Sequence, residues 1–319
     1  MEKVLISYVF YKKNKIQNLI NFLDSMTEYP PASDALLVIS LKDISKVLAS
    51  QIYETINQYK LVCKVEIISV PNIGFDLGTH LINTQRYQPF ITIFMSASSK
   101  ANHIDWYKSL VSPFSDERIG IVGSMYSEES QLTIYREIAL TKIKYRLHLK
   151  LSKVEESVAL MIDLTSKHRA IYLGKFHELF SYIITLIPYK IYRARHPFDI
   201  EQYRPFPNPH LRTTRLAIRS KLFSEVITKI PITKGEVLAL ESSYSSLTTR
   251  VRSLGYSILV CTYSGKYLSF GDSKAVSTFR DTSSSSIVID AESEIFYTYN
   301  EEKKAAIHKL MTTKRINFG

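Results

Sequence analysis

Strand-like and helical patterns alternate through the first 95 residues of the chain, and this alternation limits the fold more than any other feature. The strand-like runs are VLISYVFY, DALLVISL, KVEIISV and FITIFM. Between them, apolar residues recur at helical spacing, as in NKIQNLINFLDSM and ISKVLASQIYETINQY. Strands that alternate with helices form a mostly parallel sheet. The sequence therefore predicts an α/β fold with helices flanking such a sheet.

Polar loops follow two of the predicted strands. The loop PNIGFDLG follows KVEIISV and contains Asn72, Gly74, Asp76 and Gly78; the loop SASSK follows FITIFM and contains Ser96, Ser98 and Lys100. Ligands of open α/β sheets bind outside the carboxyl ends of the strands, and glycine lets backbone approach a ligand where a Cβ would clash. We interpret the two loops as a candidate ligand site. The alternative is that they are plain connections and the lysine is incidental.

The composition fits a folded protein in a reducing compartment. The chain has 319 residues, 45% of them hydrophobic and 22% charged, which suits a substantial core. Cys63 and Cys261 lie in apolar runs and are expected to be small core residues, not a disulfide or a metal pair. The start of the chain enters a strand at once, so we expect no signal peptide, and no apolar run suits a membrane span.

Positive charge is concentrated in the middle of the chain. Residues 136–221 carry 17 Lys and Arg against seven Asp and Glu. Such a surface suits a nucleotide diphosphate, anionic lipid headgroups, an acidic glycan or nucleic acid. Within it, residues 176–197 combine apolar and basic residues in the manner of an interfacial helix. The alternative is a core helix that ends at Pro188 with a solvated basic tail.

Three later segments complete a recognisable order. They are FMSASSKANHIDWYKSLVSPFSDERIGIVGS, PNPHLRTTRLAIRSKLF and ALESSYSSLTTRVRSLGYSILV. Together with the opening βαβ unit and PNIGFDLG, they resemble the sugar-nucleotide-dependent glycosyltransferases of the GT-A fold, close to the family-two enzymes of bacterial polysaccharide synthesis. The resemblance covers roughly residues 3–270. It implies a GT-A-like, Rossmann-like fold with a helical insertion.

The resemblance also implies a division of the chain. Residues 1–130 would form the nucleotide-sugar-binding half and residues 131–203 a basic helical insertion. Residues 204–270 would form the acceptor and catalytic half, and residues 271–319 a C-terminal extension.

The sequence departs from the family at the metal motif. Most such enzymes hold a divalent cation with Asp-x-Asp or Asn-Asp-Asp, whereas this chain has SASS there. Hard cations need anionic oxygen ligands, so we expect no metal ligands and no cofactor, although a divalent metal stays possible. Lys100, assisted by Arg212, would then neutralise the diphosphate. The alternative is that the motif is absent because the domain no longer catalyses.

The resemblance assigns the catalytic base to Glu241, which would take the proton of the acceptor hydroxyl. We expect Glu241 at the start of a helix, where the positive end of the helix dipole favours the ionised carboxylate. The alternatives are that Glu236 is the base or that Glu241 only caps the helix. Asp43 and Asp76 are candidates to bind the ribose or the nucleobase, and each could equally cap a helix.

A proline-fixed loop, PNPHLRT, is the candidate site for the acceptor sugar or the diphosphate. It presents His210, Arg212 and Thr213, although a lone histidine is often structural. The other histidines lack the spacing of zinc ligands. P-loop, dinucleotide-binding and hydrolase motifs are absent.

The resemblance thus implies an enzyme that moves a sugar from a nucleotide-sugar donor to a glycan or lipid-linked glycan. We expect inversion, no metal, a role in bacterial capsule or O-antigen synthesis, and a cytoplasmic location that could include the inner face of the membrane. An anionic membrane surface is a possible partner. Nucleic acid is not expected, because a nucleic-acid module leaves the loop-bearing sheet unexplained. The alternative is a catalytically silent scaffold of a membrane-associated assembly.

Overall fold

A computed structural model of the chain describes residues 4–132, 202–271 and 286–305. The strands are β1 (Val4–Tyr11), β2 (Leu36–Lys42), β3 (Lys64–Val70), β4 (Ile91–Met95), β5 (Lys100–Ala101), β6 (Ile119–Gly123), β7 (Tyr126–Ser127), β8 (His210–Leu211), β9 (Leu216–Arg219), β10 (Ser257–Cys261), β11 (Tyr267–Ser269) and β12 (Val288–Ile289). The helices are α1 (Ile16–Glu28), α2 (Lys46–Asn57), α3 (Phe75–Tyr87), α4 (Trp106–Val111), α5 (Ser220–Val226), α6 (Lys234–Ser242), α7 (Leu247–Ser253) and α8 (Ala291–Thr298), with a 3₁₀ turn at Ser112–Ser115.

The described residues form an eight-stranded central sheet with the order β11-β10-β6-β9-β4-β1-β2-β3. β1 is parallel to β2 and β4, β2 is parallel to β3, and β6 is parallel to β10. β9 is antiparallel to both β4 and β6, and β11 is antiparallel to β10. The predicted α/β fold, a mostly parallel sheet flanked by helices, is confirmed.

Apolar side chains cover both faces of the sheet because successive residues of a strand point to opposite sides. In β4, Ile93 and Met95 belong to the first core and Phe94 to the second. Helices α1, α2 and α4 bury their apolar side chains in the first core. Helices α3, α5 and α7 do so in the second. The prediction that Cys63 and Cys261 are small core residues is confirmed, since both are buried free thiols.

The course of the chain creates a switch point between β1 and β4. Helices α1 and α2 connect β1, β2 and β3 on one face of the sheet, whereas α3 crosses to β4 on the other. After β1 the chain continues to β2 and β3 on one side of β1, whereas after β4 it continues to β6 and β9 on the other side, so the strand order reverses between β1 and β4. A crevice opens at their carboxyl ends, and ligands of such sheets bind in this position.

The C-terminal segment of residues 286–298 packs into the same fold. β12 pairs with β5, and Ile287 and Val288 are fully buried in the first core. Arg215, immediately before β9, is fully buried and forms an ion pair with Asp290 at 2.7 Å. The part of the predicted C-terminal extension that the structure describes thus supplies a strand and core residues.

Two sequence predictions concern residues outside the described ranges. The predicted basic helical insertion lies almost entirely between residues 133 and 201. The predicted interfacial segment, residues 176–197, lies entirely within the same range. Among the described helices, none is both long and apolar enough to cross a membrane.

Candidate functional site

A cavity of about 710 Å³ lies at the switch point, over the carboxyl ends of β1, β2 and β4. Its wall comes from the ends of β1 and β2, from the loops that follow β1, β3 and β4, and from residues later in the chain. The lining residues are Tyr11, Lys13, Asn14, Lys42, Asn72, Ile73, Gly74, Phe75, Asp76, Ser96, Ala97, Ser98, Arg212, Thr214, Ile232 and Asp290. The volume is in the range of small-molecule and cofactor sites.

A buried lysine holds the loop that follows β3. The side chain of Lys42, at the end of β2, donates hydrogen bonds to the carbonyl oxygens of Ile73 at 3.0 Å and Phe75 at 2.6 Å. Burial lowers the pKa of Lys42, and the nearby Asp76 carboxylate opposes this shift. Burial raises the pKa of Asp76, which Lys42 opposes in turn. Each charge thus partly offsets the cost of burying the other in the cavity wall.

The two glycines of this loop serve packing. Gly74 has a left-handed φ of +72°, and a Cβ on it would lie 2.5 Å from the side chain of Ile230. A Cβ on Gly78 would lie 3.0 Å from the same side chain. Gly74 lines the cavity and Gly78 does not. A Cβ on either glycine would therefore meet the Ile230 side chain. The sequence interpretation, in which this space belongs to a ligand, is wrong at these two positions.

The serine loop after β4 is a closed turn. The Ser99 hydroxyl accepts a hydrogen bond from the Ser96 amide, and the Ser99 amide donates to the Ser96 carbonyl, both at 3.0 Å. The Tyr8 hydroxyl donates to the Ala97 carbonyl at 2.8 Å. These bonds fix the turn, so that Ser96 and Ser98 face the cavity in a set position.

The structure places Lys100 outside the cavity. Lys100 lies in β5 and forms an ion pair with Glu294 of α8. Asp43 also lies outside the cavity wall, where its carboxylate pairs with Lys12 and accepts a hydrogen bond from Asn72. Of the predicted donor-binding residues, the cavity brings together Asn72, Gly74, Asp76, Ser96 and Ser98.

Glu241 lies behind the cavity wall in a cluster with Arg212 and Thr213. One carboxylate oxygen is 3.5 Å from Arg212 Nε and accepts hydrogen bonds from the amide and hydroxyl of Thr213 at 3.3 and 3.5 Å. Only Arg212 of this cluster lines the cavity. Glu241 is also the penultimate residue of α6, so the expected position at a helix start is wrong. The apolar run VLAL that precedes Glu241 lies within α6.

Two other predicted site residues have structural partners. His210 is buried in β8, its Nδ1 lies 2.8 Å from the Asn208 carbonyl, and burial lowers its pKa. Glu236 forms a capping box with Thr233 at the start of α6. The amides of Thr233 and Ile232 lower the pKa of Glu236 by donating hydrogen bonds to its carboxylate. Neither residue lines the cavity.

Sequence reasoning missed several residues of the wall. Tyr11 ends the first predicted strand, Lys13 and Asn14 follow it, and Lys42 follows the second predicted strand, so the strand-end rule could have identified all four. Asp290 ends the short apolar run IVID, but nothing in the sequence shows that this run reaches the site. Its position in the wall depends on the pairing of β12 with β5 and on Arg215.

The residues of the cavity do not resemble a preformed metal site. Within the described ranges, no group of three His, Cys, Asp or Glu side chains could hold a metal ion. Two carboxylates line the cavity, and one of them, that of Asp290, bonds Arg215 and the Ser293 amide. That the reaction needs no metal ion stays a prediction.

Comparisons with known proteins show similarity to several solved glycosyltransferases. No protein-family model and no curated protein matches the sequence. Mannosyltransferase PcManGT from Pyrobaculum calidifontis, solved with GDP-Man and Mn²⁺, aligns with a TM-score of 0.33 and 13% identity, over 38% of this chain and 34% of its own. GalNAc-T7, solved with UDP, GalNAc and Mn²⁺, gives 0.32 and 20%, over 38% and 22%.

A third solved structure aligns with similar values. S. aureus TarS 1–349 in complex with UDP-GlcNAc aligns with a TM-score of 0.30 and 13% identity, over 38% of this chain and 33% of its own. In each of these three alignments the matched region spans about a third or less of the solved chain.

Proposed function

We propose that this chain is a glycosyltransferase that moves a sugar from a nucleotide-sugar donor to a hydroxyl of a glycan or lipid-linked glycan. The observation that carries the proposal is the cavity at the switch point. It combines cationic side chains, a fixed serine turn, the buried Lys42 and the nearby Asp76 carboxylate at the ends of parallel strands. Nucleotides bind at this position in open α/β sheets.

The donor diphosphate would lie between the serine turn and the cations of the wall. Lys13 and Arg212 both face the cavity, and the Ser98 hydroxyl can donate to phosphate oxygens, whereas the Ser96 hydroxyl bonds Ser99 Oγ at 2.9 Å. Arg212 takes over the role that the sequence interpretation gave mainly to Lys100. Asp76 can accept hydrogen bonds from the nucleoside.

Glycosyl transfer with inversion requires an acceptor hydroxyl to attack the anomeric carbon while the bond to the diphosphate breaks. A carboxylate takes the hydroxyl proton. We keep Glu241 as the proposed base. Because Glu241 contacts Arg212, it has a second possible role, which is to orient the Arg212 guanidinium towards the diphosphate.

Metal-independence is part of the proposal and rests on the same wall. Neutralisation of the leaving diphosphate needs positive charge, and Lys13 and Arg212 supply it. The SASS turn offers hydroxyls where the resembled family has carboxylates. Hydroxyl oxygens are weak ligands for a hard cation but good donors to phosphate.

A role in bacterial surface polysaccharide synthesis rests on the sequence resemblance. The excess of positive charge in residues 136–221 also supports this role, since it would favour a site at the anionic cytoplasmic face of a membrane. A panel of donors can identify the nucleotide and the sugar.

The test measures release of nucleoside diphosphate from a panel of UDP-, GDP- and dTDP-sugars, each in EDTA and in Mn²⁺, for wild type, Glu241→Gln and Glu236→Gln. We expect turnover of one donor in EDTA. If Glu241 is the base, Glu241→Gln abolishes turnover and leaves the donor Kd unchanged. A parallel loss of donor affinity would instead assign Glu241 to the positioning of Arg212. Full activity of Glu241→Gln would remove it from both roles.

A catalytically silent scaffold is the second candidate. The observation that favours it is the position of Glu241 behind the wall, bonded to Arg212 and Thr213. A silent scaffold would release no nucleoside diphosphate from any donor of the panel. Donor binding without turnover would indicate a silent protein that binds the sugar nucleotide in this cavity.

A further inference from the structure

Phe75 presents an exposed aromatic ring to the cavity from a strained backbone position. It is the first residue of α3 and has a φ of +52°, in the left-handed region. Its side chain is 44% exposed and lines the cavity. A bulky residue in the left-handed region is an outlier, because its Cβ crowds the neighbouring carbonyl.

The surrounding structure holds this conformation from the backbone side. The Phe75 carbonyl accepts a hydrogen bond from the buried Lys42 ammonium at 2.6 Å and one from the Thr79 hydroxyl at 3.1 Å. Gly74, immediately before it, is also left-handed. All of these contacts involve main-chain atoms of Phe75. A glycine at this position would keep them and would remove the strain.

Among the described residues, the Phe75 ring lies outside the apolar cores of the fold. Phe75 does not belong to either apolar core, and no aromatic or cationic side chain within the described residues packs on its ring. Strain at a residue that lies outside the apolar cores and lines a cavity points to a function for its side chain. Ile73 and Ile232 are also exposed and line the cavity, so this part of the wall is apolar.

The apolar part lies at a distance from the serine turn that suits a nucleotide. Lys42 anchors Ile73 and Phe75 over the end of β2, whereas the serine turn follows β4. β1 separates these strands, which places the two parts of the wall roughly 10 Å apart at a strand spacing of about 4.8 Å. A phosphate group at the serine turn would leave the planar base of the same ligand near Phe75.

We propose that Phe75 is the stacking surface for the nucleobase of the donor, and that its left-handed conformation is retained for binding. The proposal rests on the proposed function, because it gives a specific contact to the donor at the same site. Stacking of a base on an aromatic ring tolerates any base, so Phe75 would contribute affinity, and polar neighbours would select the base.

The test compares Phe75→Gly, Phe75→Leu and Phe75→Tyr with wild type. The measurements are the thermal unfolding midpoint without ligand and the calorimetric Kd for the nucleoside diphosphate, among UDP, GDP and dTDP, that wild type binds most tightly. For Phe75→Gly we expect a midpoint higher by about 2 °C or more and a Kd weaker by roughly 10-fold or more. Phe75→Leu keeps the strain and loses the aromatic face, so only its Kd should weaken. Phe75→Tyr should match wild type in both.

Gln88→Gly is the matched control. Gln88 is the exposed C-cap of the same helix, has a φ of +46° and lies outside the cavity wall. Its replacement by glycine should raise the unfolding midpoint in the same way and leave the Kd unchanged. Inorganic pyrophosphate, which has no base, should bind Phe75→Gly and wild type equally.

Two results would overturn the proposal while the proposed function stands. One is an unchanged nucleotide Kd in Phe75→Gly; the other is a lower unfolding midpoint in Phe75→Gly, which would show that the ring stabilises the fold. If wild type binds none of the nucleotides, the proposed function fails as well. A pyrophosphate affinity that falls with the nucleotide affinity would show a distorted loop and would also reject the stacking contact.

Discussion

Lys42 organises the candidate site more than any other single side chain. It is 2% exposed, it bonds two carbonyls of the loop after β3, and it opposes the charge of Asp76. Lysine is seldom buried to this extent unless it is paired. The ammonium thus fixes the shape of the loop and adds to the positive charge of the cavity wall.

Replacement of this lysine should therefore affect stability and binding together. We expect Lys42→Met to lower the free energy of unfolding by about 2–3 kcal/mol, because hydrogen bonds from a charged donor are lost. Donor affinity should fall at least about 10-fold, since the loop is released and a positive charge is removed. Lys12→Met is the control, because Lys12 pairs with Asp43 outside the cavity wall. Chemical denaturation and calorimetry measure the two effects.

His80 makes stability depend on pH. It is buried in α3, its ring stacks on Phe94 with centroids 4.4 Å apart, and burial lowers its pKa from 6.5 to about 3. The folded state therefore keeps His80 neutral, whereas the unfolded chain binds a proton below about pH 6.5. Stability from this group is complete above pH 6.5 and falls as pH drops towards 3.

The expected contribution is a loss of up to about 1.4 kcal/mol of unfolding free energy per pH unit below 6.5. Denaturant unfolding between pH 7 and pH 4.5 measures it. His80→Gln, which cannot titrate, should have a smaller slope by about that amount. An identical slope in both proteins would show that His80 is protonated in the fold.

At single positions, the sequence predicted which residues lie at the end of a strand but not the contacts of their side chains. Asn72, Asp76, Ser96 and Ser98 were found because a strand end positions them. Lys100 was assigned on proximity in sequence, yet the short strand β5 directs it to Glu294. That contact depends on a segment almost 200 residues away, which no local pattern reveals.

Helix α6 shows how a boundary error changes the interpretation of a residue. It begins after Thr233 with a capping box and ends at Ser242. The sequence pattern places Glu241 at the start of a helix, where the dipole is positive. In the structure the preceding run VLAL is itself helical, and Glu241 lies near the negative end of α6. The sequence T-K-G-E fits the capping-box pattern and could have identified the correct start.

The cap of α6 should contribute stability only. Thr233→Ala removes the side chain that accepts the Glu236 amide hydrogen bond and should cost about 1 kcal/mol of unfolding free energy. Glu236→Gln should also lower stability and leave turnover at the wild-type rate, because Glu236 lies outside the cavity wall. A loss of turnover in Glu236→Gln with an intact unfolding midpoint would restore Glu236 as the base.

Across the whole molecule, the site depends on distant parts of the chain that meet at one sheet edge. Residues 4–132 supply most of the wall, residues 202–271 supply Arg212, Thr214 and Ile232, and the C-terminal segment supplies Asp290. The alternating pattern predicted the parallel sheet. It could not predict β9, an antiparallel strand between β4 and β6, because strand order depends on long-range packing.

The buried Arg215–Asp290 pair should hold the C-terminal segment on the sheet. Asp290→Asn keeps a residue that can cap α8 but removes the charge that Arg215 bonds. We expect a loss of about 3–5 kcal/mol in unfolding free energy. Asp116→Asn is the control, since its ion pair with Arg118 is exposed and should change stability little. Equal effects of the two substitutions would show that the buried pair does not anchor the segment.

The most direct test of the central claim is thermal unfolding of the purified wild-type protein with UDP, GDP, CMP and dTDP and their sugars, each with EDTA and with Mn²⁺. We predict that one nucleotide and its sugar raise the unfolding midpoint equally in EDTA and in Mn²⁺. Stabilisation only with Mn²⁺ would contradict the metal-independent site, and no stabilisation by any nucleotide would contradict a donor site in this cavity.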